Sequence, residues 1–318
     1  MLYADNCDRK HRDHDPMMKW LYPPALILVI AFSGILDARM QEQTTVVVTF
    51  SILEDFAERL VDEDVEVISL VPRGAEVHEY ELRPKDFKAL ERADVVFYNG
   101  LALEQWMPQV RAVVGDGIPV VSVAERSGIE TLPIVSGEYE GQADPHAWMD
   151  PRRAGQYVSA MASELTAILP QSADDILARA ESYRIELQSL YEEMAKTLAS
   201  IPPLRRVLIS SEAAFVYFAD SFDFFHEGIW GNNAESEGGP RQLMRVIDII
   251  AERQPTALFW ESTVSSRSVK TISADTQVPY YGPLYVDSLA AGGSEPDSYI
   301  DMMRSNVAVL EEALRGDD

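Results

Sequence analysis

Short β-branched runs alternate with segments of helical spacing, and few folds accommodate that pattern. "TTVVVTF" from Thr44 suits a buried strand, and "SILEDFAERLV" follows at helical spacing, with Ser51 in an N-cap position. "DVEVISLV" reads as the next strand, "PKDFKALERA" as a helix with Pro84 early in it, and "DVVFYNG" and "IPVVSVA" as two further strands. Strands alternating with helices imply a mostly parallel sheet with helices on its faces. After Asp150-Pro151 two long helical patterns appear. The second, from about Ser172 to Ser200, repeats Ile176, Ala180, Tyr183, Leu187, Leu190, Met194 and Leu198 at steps of four and three, so one face is apolar throughout. Such a helix spans about 43 Å at 1.5 Å per residue, longer than one small lobe needs. Pro202-Pro203 ends it. The alternation then resumes with "RRVLISS", a helix from about Glu212, "FDFFHEGIW", a turn at Gly238-Gly239-Pro240, "RQLMRVIDIIAERQ", "TALFWE", "SSRSVKTISADT", "VPYYGPLYVD" and a last helix "SYIDMMRSNVAVLEEAL". The expectation is an α/β fold of two lobes, each with a mostly parallel sheet flanked by helices. They are the N-terminal lobe 44–171 and the C-terminal lobe 202–318, joined by one long bridging helix over 172–201. A ligand is expected in the crevice between them, at the carboxyl ends of strands. Bending the bridge would break backbone hydrogen bonds, so small lobe motions are expected.

Residues 1–38 read as a leader. Met17-Met18-Lys19-Trp20 precedes the apolar run "LYPPALILVIAFSGIL", of about the length of a signal-peptide core, and Leu36-Asp37-Ala38 offers a cleavage site. Export to the periplasm is expected; an uncleaved membrane anchor is the alternative, although the run falls short of the roughly 20 residues of a spanning helix. The polar stretch before Met17 suggests that translation begins at Met17 or Met18. The single cysteine, Cys7, allows neither a disulfide nor a thiolate metal site within the chain, and no cysteine follows the apolar run to carry a lipid. The formal net charge is -25. So acidic a surface disfavours nucleic acid and favours cations.

Five histidines are present: His11, His14, His78, His146 and His226. His78 lies in "VPRGAEVHEYELRP" and His146 in "ADPHAWMD", both in turn-rich stretches after strands. Ser211-Glu212 opens a similar transition, and Asp287 in "PLYVDSL" ends a strand. Two neutral imidazoles and two carboxylates make a coherent site for a divalent transition ion, because nitrogen suits Mn, Fe, Zn and Cu while the carboxylates balance its charge. Magnesium and calcium would call for oxygen alone. Taken singly, each residue has a plainer reading: a hydrogen-bonded loop histidine, an acid at a helix N-terminus, an N-cap aspartate. Spacing does not decide between these readings.

The surrounding words add a resemblance. "VVVTFSILEDFAERL", "VHEYELRPKDFKAL", "ADVVFYNGLALEQW", "ADPHAWMDP", "SSEAAFVYFA", "ESTVSSRSVKTI" and "GPLYVDSL" together resemble the metal-binding solute-binding proteins of bacterial ABC transporters, from about Thr44 to Leu314. The resemblance implies a metal held between two lobes by His78, His146, Glu212 and Asp287. Zinc-type members have histidine at the position of Glu212, so it points to Mn(II) or Fe(II), with Zn(II) possible. It also implies a partner ABC permease in the membrane and a monomeric receptor that is not an enzyme. His226 reads as a supporting or structural residue, Trp148, Trp230 and Trp260 as packing residues, and Glu261 as structural. A metal-dependent hydrolase using the same ligands is the alternative, but no catalytic residue is nominated, since no nucleophile elbow or H-E-x-x-H helix occurs. No patch argues for an adhesin role.

Overall fold

The computed structural model describes residues 43–137, 139–231 and 239–316; the leader, its cleavage and Gly238 lie outside the described residues. No helix among the described residues is long and apolar enough to cross a membrane. β1 (Thr45–Val48), β2 (Glu66–Ser69), β3 (Val95–Tyr98) and β4 (Val120–Ser122) form a parallel sheet in the order β2-β1-β3-β4. β1 lies inside, buried on both faces, which is why its sequence is continuously β-branched rather than alternating. The connections carry α1 (Ser51–Leu60), α2 (Pro84–Glu91) and α3 (Met107–Arg111), and α4 (Val123–Ser127) follows β4. α3 and α4, at five residues each, are too short to leave a periodic signal. Ser51 does not cap α1. It is the first helical residue, and its Oγ accepts the backbone N–H of Leu289 at 2.9 Å, a link across 238 residues.

α5 (Pro151–Ile168) starts as its sequence dictates, with Pro151 in the first turn and the Asp150 carboxylate accepting the N–H of Arg152 at 2.9 Å. α6 (Ala173–Leu198) is the long helix, and its buried residues are the seven of the apolar stripe. It packs on α5, on α1 and on α10 (Tyr299–Leu314).

Beyond α6 come β5 (Val207–Glu212), α7 (Val216–Phe222), β6 (Phe225–Trp230), α8 (Pro240–Arg253), β7 (Leu258–Glu261), α9 (Arg267–Thr276) and β8 (Tyr280–Leu284). These strands form two parallel pairs, β5 with β6 and β7 with β8. β5 and β7 are neighbours joined through a side chain: the Glu212 N–H donates to both carboxylate oxygens of Glu261, at 3.2 and 3.0 Å.

Two boundaries differ from the sequence reading. Glu212 begins no helix; it ends β5, paired with Trp230, and the Ala213 N–H continues toward the Trp230 carbonyl at 3.1 Å. α7 starts four residues later. Asp287 does not end a strand: β8 stops at Leu284 because the Asn306 side chain takes both the N–H and the carbonyl of Tyr285, at 2.8 and 2.6 Å.

Two apolar clusters result. The larger unites the first sheet with α1, α5, α6, α7 and α10 and includes Leu284, Val286 and Leu289. The smaller comprises Val207, Ile209, Ile229, Trp230, Val246, Ile250, Leu258, Val269 and Ile272. Leu187 on α6 is fully buried in the larger one. Leu187→Ala is expected to lower stability by about 3 kcal/mol in denaturant unfolding while ion affinity stays unchanged, since α6 carries none of the four candidate donors.

Candidate metal centre

His78 approaches from the loop between β2 and α2, His146 from the turn ahead of α5, Glu212 from the end of β5, and Asp287 from the segment three residues past β8. All four meet. His78 Nε2 lies 3.3 Å from Glu212 Oε1 and 3.5 Å from Asp287 Oδ2, and His146 Nε2 lies 3.4 Å from Asp287 Oδ1 and 3.9 Å from Glu212 Oε1. Single donor atoms of His78, His146 and Asp287 all fall within 4.8 Å of one another, the spacing of ligands around one ion. The four side chains are at most 3% exposed.

His78 Nε2, His146 Nε2 and Asp287 Oδ1 are buried without a hydrogen-bond partner. Leaving a buried polar atom unpaired costs roughly 1–3 kcal/mol, and here three such atoms face one point. A divalent ion would satisfy all three together, and the donor set of two nitrogens and two carboxylates suits a transition metal.

The ring of His146 is aimed by its own turn. Asp144 Oδ1 accepts the backbone N–H of His146 at 2.8 Å and lies 3.2 Å from its Nδ1, so a proton on Nδ1 leaves the Nε2 lone pair directed into the site. Two residues before His78, Glu76 Oε1 accepts the His78 N–H in the same way at 2.7 Å. Sequence reasoning missed both carboxylates, although an acid two positions before each histidine was there to be read.

His226 stands apart. Its Nε2 accepts the Phe215 N–H at 3.1 Å and its Nδ1 meets the Leu208 carbonyl at 3.1 Å, so both nitrogens are occupied in joining β5, β6 and the loop before α7. Burial holds its pKa below the usual value, keeping it neutral. Glu261 grips the backbone of Glu212, and burial, with the Glu212 charge beside it, pushes its carboxyl well above the usual range.

Burial opposes charge on both site histidines, but neighbouring carboxylates outweigh it. Glu212 and Asp287 raise His78 well above its ordinary value; Asp144 and Asp287 push His146 up to about 10. Burial would raise Asp287, yet the two imidazoles hold it below the usual carboxylate range. Without an ion, protons therefore occupy the place that the geometry offers to a cation.

The family described as zinc-uptake complex component A, periplasmic (ZnuA), matches residues 46–313. The chain belongs to this family. Members are solute-binding components of metal-uptake systems rather than enzymes, which removes the hydrolase reading. ZnuA-family relatives include a manganese-binding lipoprotein, MntA, of Halalkalibacterium halodurans, 37% identical over 292 residues and covering 91% of this chain and 95% of that protein. The iron-binding protein YfeA of Yersinia pestis is 34% identical, covering 93% and 97%. Among solved structures, the periplasmic zinc-binding protein TroA of Treponema pallidum superposes with a TM-score of 0.80 at 28% identity, covering 86% of this chain and all of that one.

The electrostatics have a measurable sign. With its folded pKa at about 10, above the roughly 6.5 of an unfolded chain, His146 contributes stability that is complete below pH 6.5 and lost as pH rises toward 10. Chemical denaturation of the ion-free protein should show that decline, and Asp144→Asn should flatten it.

Proposed function

We propose that this protein is an extracytoplasmic receptor that captures a divalent transition metal with His78, His146, Glu212 and Asp287 and delivers it to an ABC permease. The observation that carries the reading is the meeting of two imidazole nitrogens and two carboxylates in one buried place, where three donor atoms lack any hydrogen-bond partner. Two carboxylate charges neutralise a dication, so the ion enters a nonpolar interior as a balanced unit rather than as a buried charge. Asp144 holds the Nδ1 side of the His146 ring, so Nε2 is the nitrogen turned toward the ion.

A shell with two carboxylates is harder than a three-histidine one, which favours Mn(II) or Fe(II) as cargo, in keeping with the manganese and iron named for MntA and YfeA. Zn(II) outranks both in intrinsic affinity for a given nitrogen and oxygen site, so it also binds. The receptor works as a periplasmic monomer exported through residues 1–38, with lobes 44–171 and 202–318 on either side of α6. Its acidic surface draws cations toward the site.

Capture must displace protons from His78 and His146, so affinity is expected to fall as pH is lowered from 8 to 5. The deciding experiment is metal content of the protein from its native compartment, beside competitive titration of Mn(II), Fe(II) and Zn(II) against wild type and Glu212→His. The substitution is expected to shift preference toward Zn(II) by about tenfold or more. Wild type that binds none of the three ions, or an unchanged ratio of Zn(II) to Mn(II) affinity in the variant, would sink the assigned shell.

A further inference from the structure

Three buried side chains hold the backbone immediately ahead of three of the candidate donors, and each comes from a distant part of the chain. The Trp106 indole N–H donates to the carbonyl of Val77, the residue before His78, at 2.8 Å across 29 residues. Asn99 Nδ2 donates to the carbonyl of Pro145, the residue before His146, at 3.1 Å across 46 residues. The Trp148 indole N–H donates to the carbonyl of Val286, the residue before Asp287, at 3.0 Å across 138 residues. We infer that Trp106, Asn99 and Trp148 are positioning residues for ion capture, each setting the direction of one donor by fixing the peptide plane that precedes it. The inference rests on the metal-receptor reading above.

The physical reason is the rigidity of the peptide unit. The carbonyl of one residue and the Cα of the next lie in the same plane, so anchoring the oxygen orients the bond from which the next side chain departs. None of the three donors lies in a helix or strand interior that would otherwise impose this. A loop residue held only by its neighbours would sample several directions, and a site built on it would be loose.

Each anchor is itself held. Asn99 Nδ2 also meets the Gly100 carbonyl at 3.0 Å, which fixes the sense of its amide, and Asn99 Oδ1 accepts the Tyr157 hydroxyl at 2.9 Å. The turn behind it is pinned by Glu104, whose carboxylate accepts the N–H groups of Asn99 and Gly100 and the Thr49 hydroxyl. Trp148 packs its ring against His146, centroids 5.2 Å apart at 64°, while its carbonyl accepts the Tyr299 hydroxyl at 2.6 Å. Through Trp148, then, the turn that carries His146 grips the segment that carries Asp287. Trp106 stacks edge-on against Tyr80, two residues past His78.

Tryptophan to phenylalanine tests this directly, because it keeps an aromatic ring and removes the N–H. The full chain would be compared as wild type, Trp106→Phe, Trp148→Phe, Asn99→Ala and Leu187→Ala, with Mn(II) and Zn(II) affinity by competition and ion dissociation by stopped flow into excess chelator. The absorption spectrum of the Co(II)-loaded protein reports coordination. Loss of partners behind metal ligands typically costs 10–100-fold in affinity, so each of the first three variants is expected to bind about tenfold more weakly or worse, dissociate faster and show an altered Co(II) spectrum. Leu187→Ala, destabilised by lost packing alone, should keep wild-type affinity. Trp106→Phe and Trp148→Phe with wild-type affinity and dissociation rate, whatever their thermal midpoint, would overturn the inference and leave both indoles as packing groups. Wild type that fails to bind would instead overturn the receptor reading itself.

Discussion

Two imidazoles and two carboxylates share one buried volume, and each would be costly there alone. Their charges are what make the arrangement tolerable: the carboxylates raise the histidines, the histidines lower Asp287, and the sum approaches balance with either protons or a dication present. Much of the surrounding architecture serves this requirement. The sheet ends and loops that deliver the four groups come from points as far apart in sequence as His78 and Asp287, and only a large shared core can hold them to within a few ångströms.

That core is unevenly distributed. The larger apolar cluster draws on both sides of α6 and reaches Leu284, Val286 and Leu289, so the Asp287 segment is embedded in the same body as the two histidine loops. Hydrogen bonds reinforce this: Ser51 takes the Leu289 N–H at 2.9 Å, and the Gly74 N–H donates to Ser288 Oγ at 2.6 Å. Glu212 ends a strand that faces both clusters, with Leu208 in the larger and Val207 and Ile209 in the smaller, and Glu261 braces it from behind.

Much of this was legible in the sequence. The parallel α/β alternation, the seven-residue stripe of α6 and the four residues that converge all followed from periodicity, residue chemistry and the seven motif words. What stayed hidden depends on tertiary contact. The Ser51 hydroxyl has the chemistry of a cap, but a distant N–H claims it. Asp287 looked like a strand end because its neighbours are apolar, and the Asn306 amide that terminates β8 lies 21 residues away. Trp106 drew no reading at all, and Trp148 read as a packing residue because an indole is large and apolar. That its single N–H has a specific partner is a fact of three dimensions. Glu212 as a helix N-terminal acid was a misreading of local pattern, since the pairing with Trp230 extends the strand through it.

The unequal mounting of the four groups bears on how such a receptor diversifies. His78, His146 and Asp287 occupy segments cross-tied to one another, through Trp148 to Val286 and Gly74 to Ser288. Position 212 ends β5, and its backbone N–H is held by Glu261 through a bond that does not involve its own side chain. Under the proposed shell, a change there exchanges an oxygen donor for a nitrogen one. On that reading, descent within one fold retunes which element is harvested from the environment through a single codon, without rebuilding the scaffold.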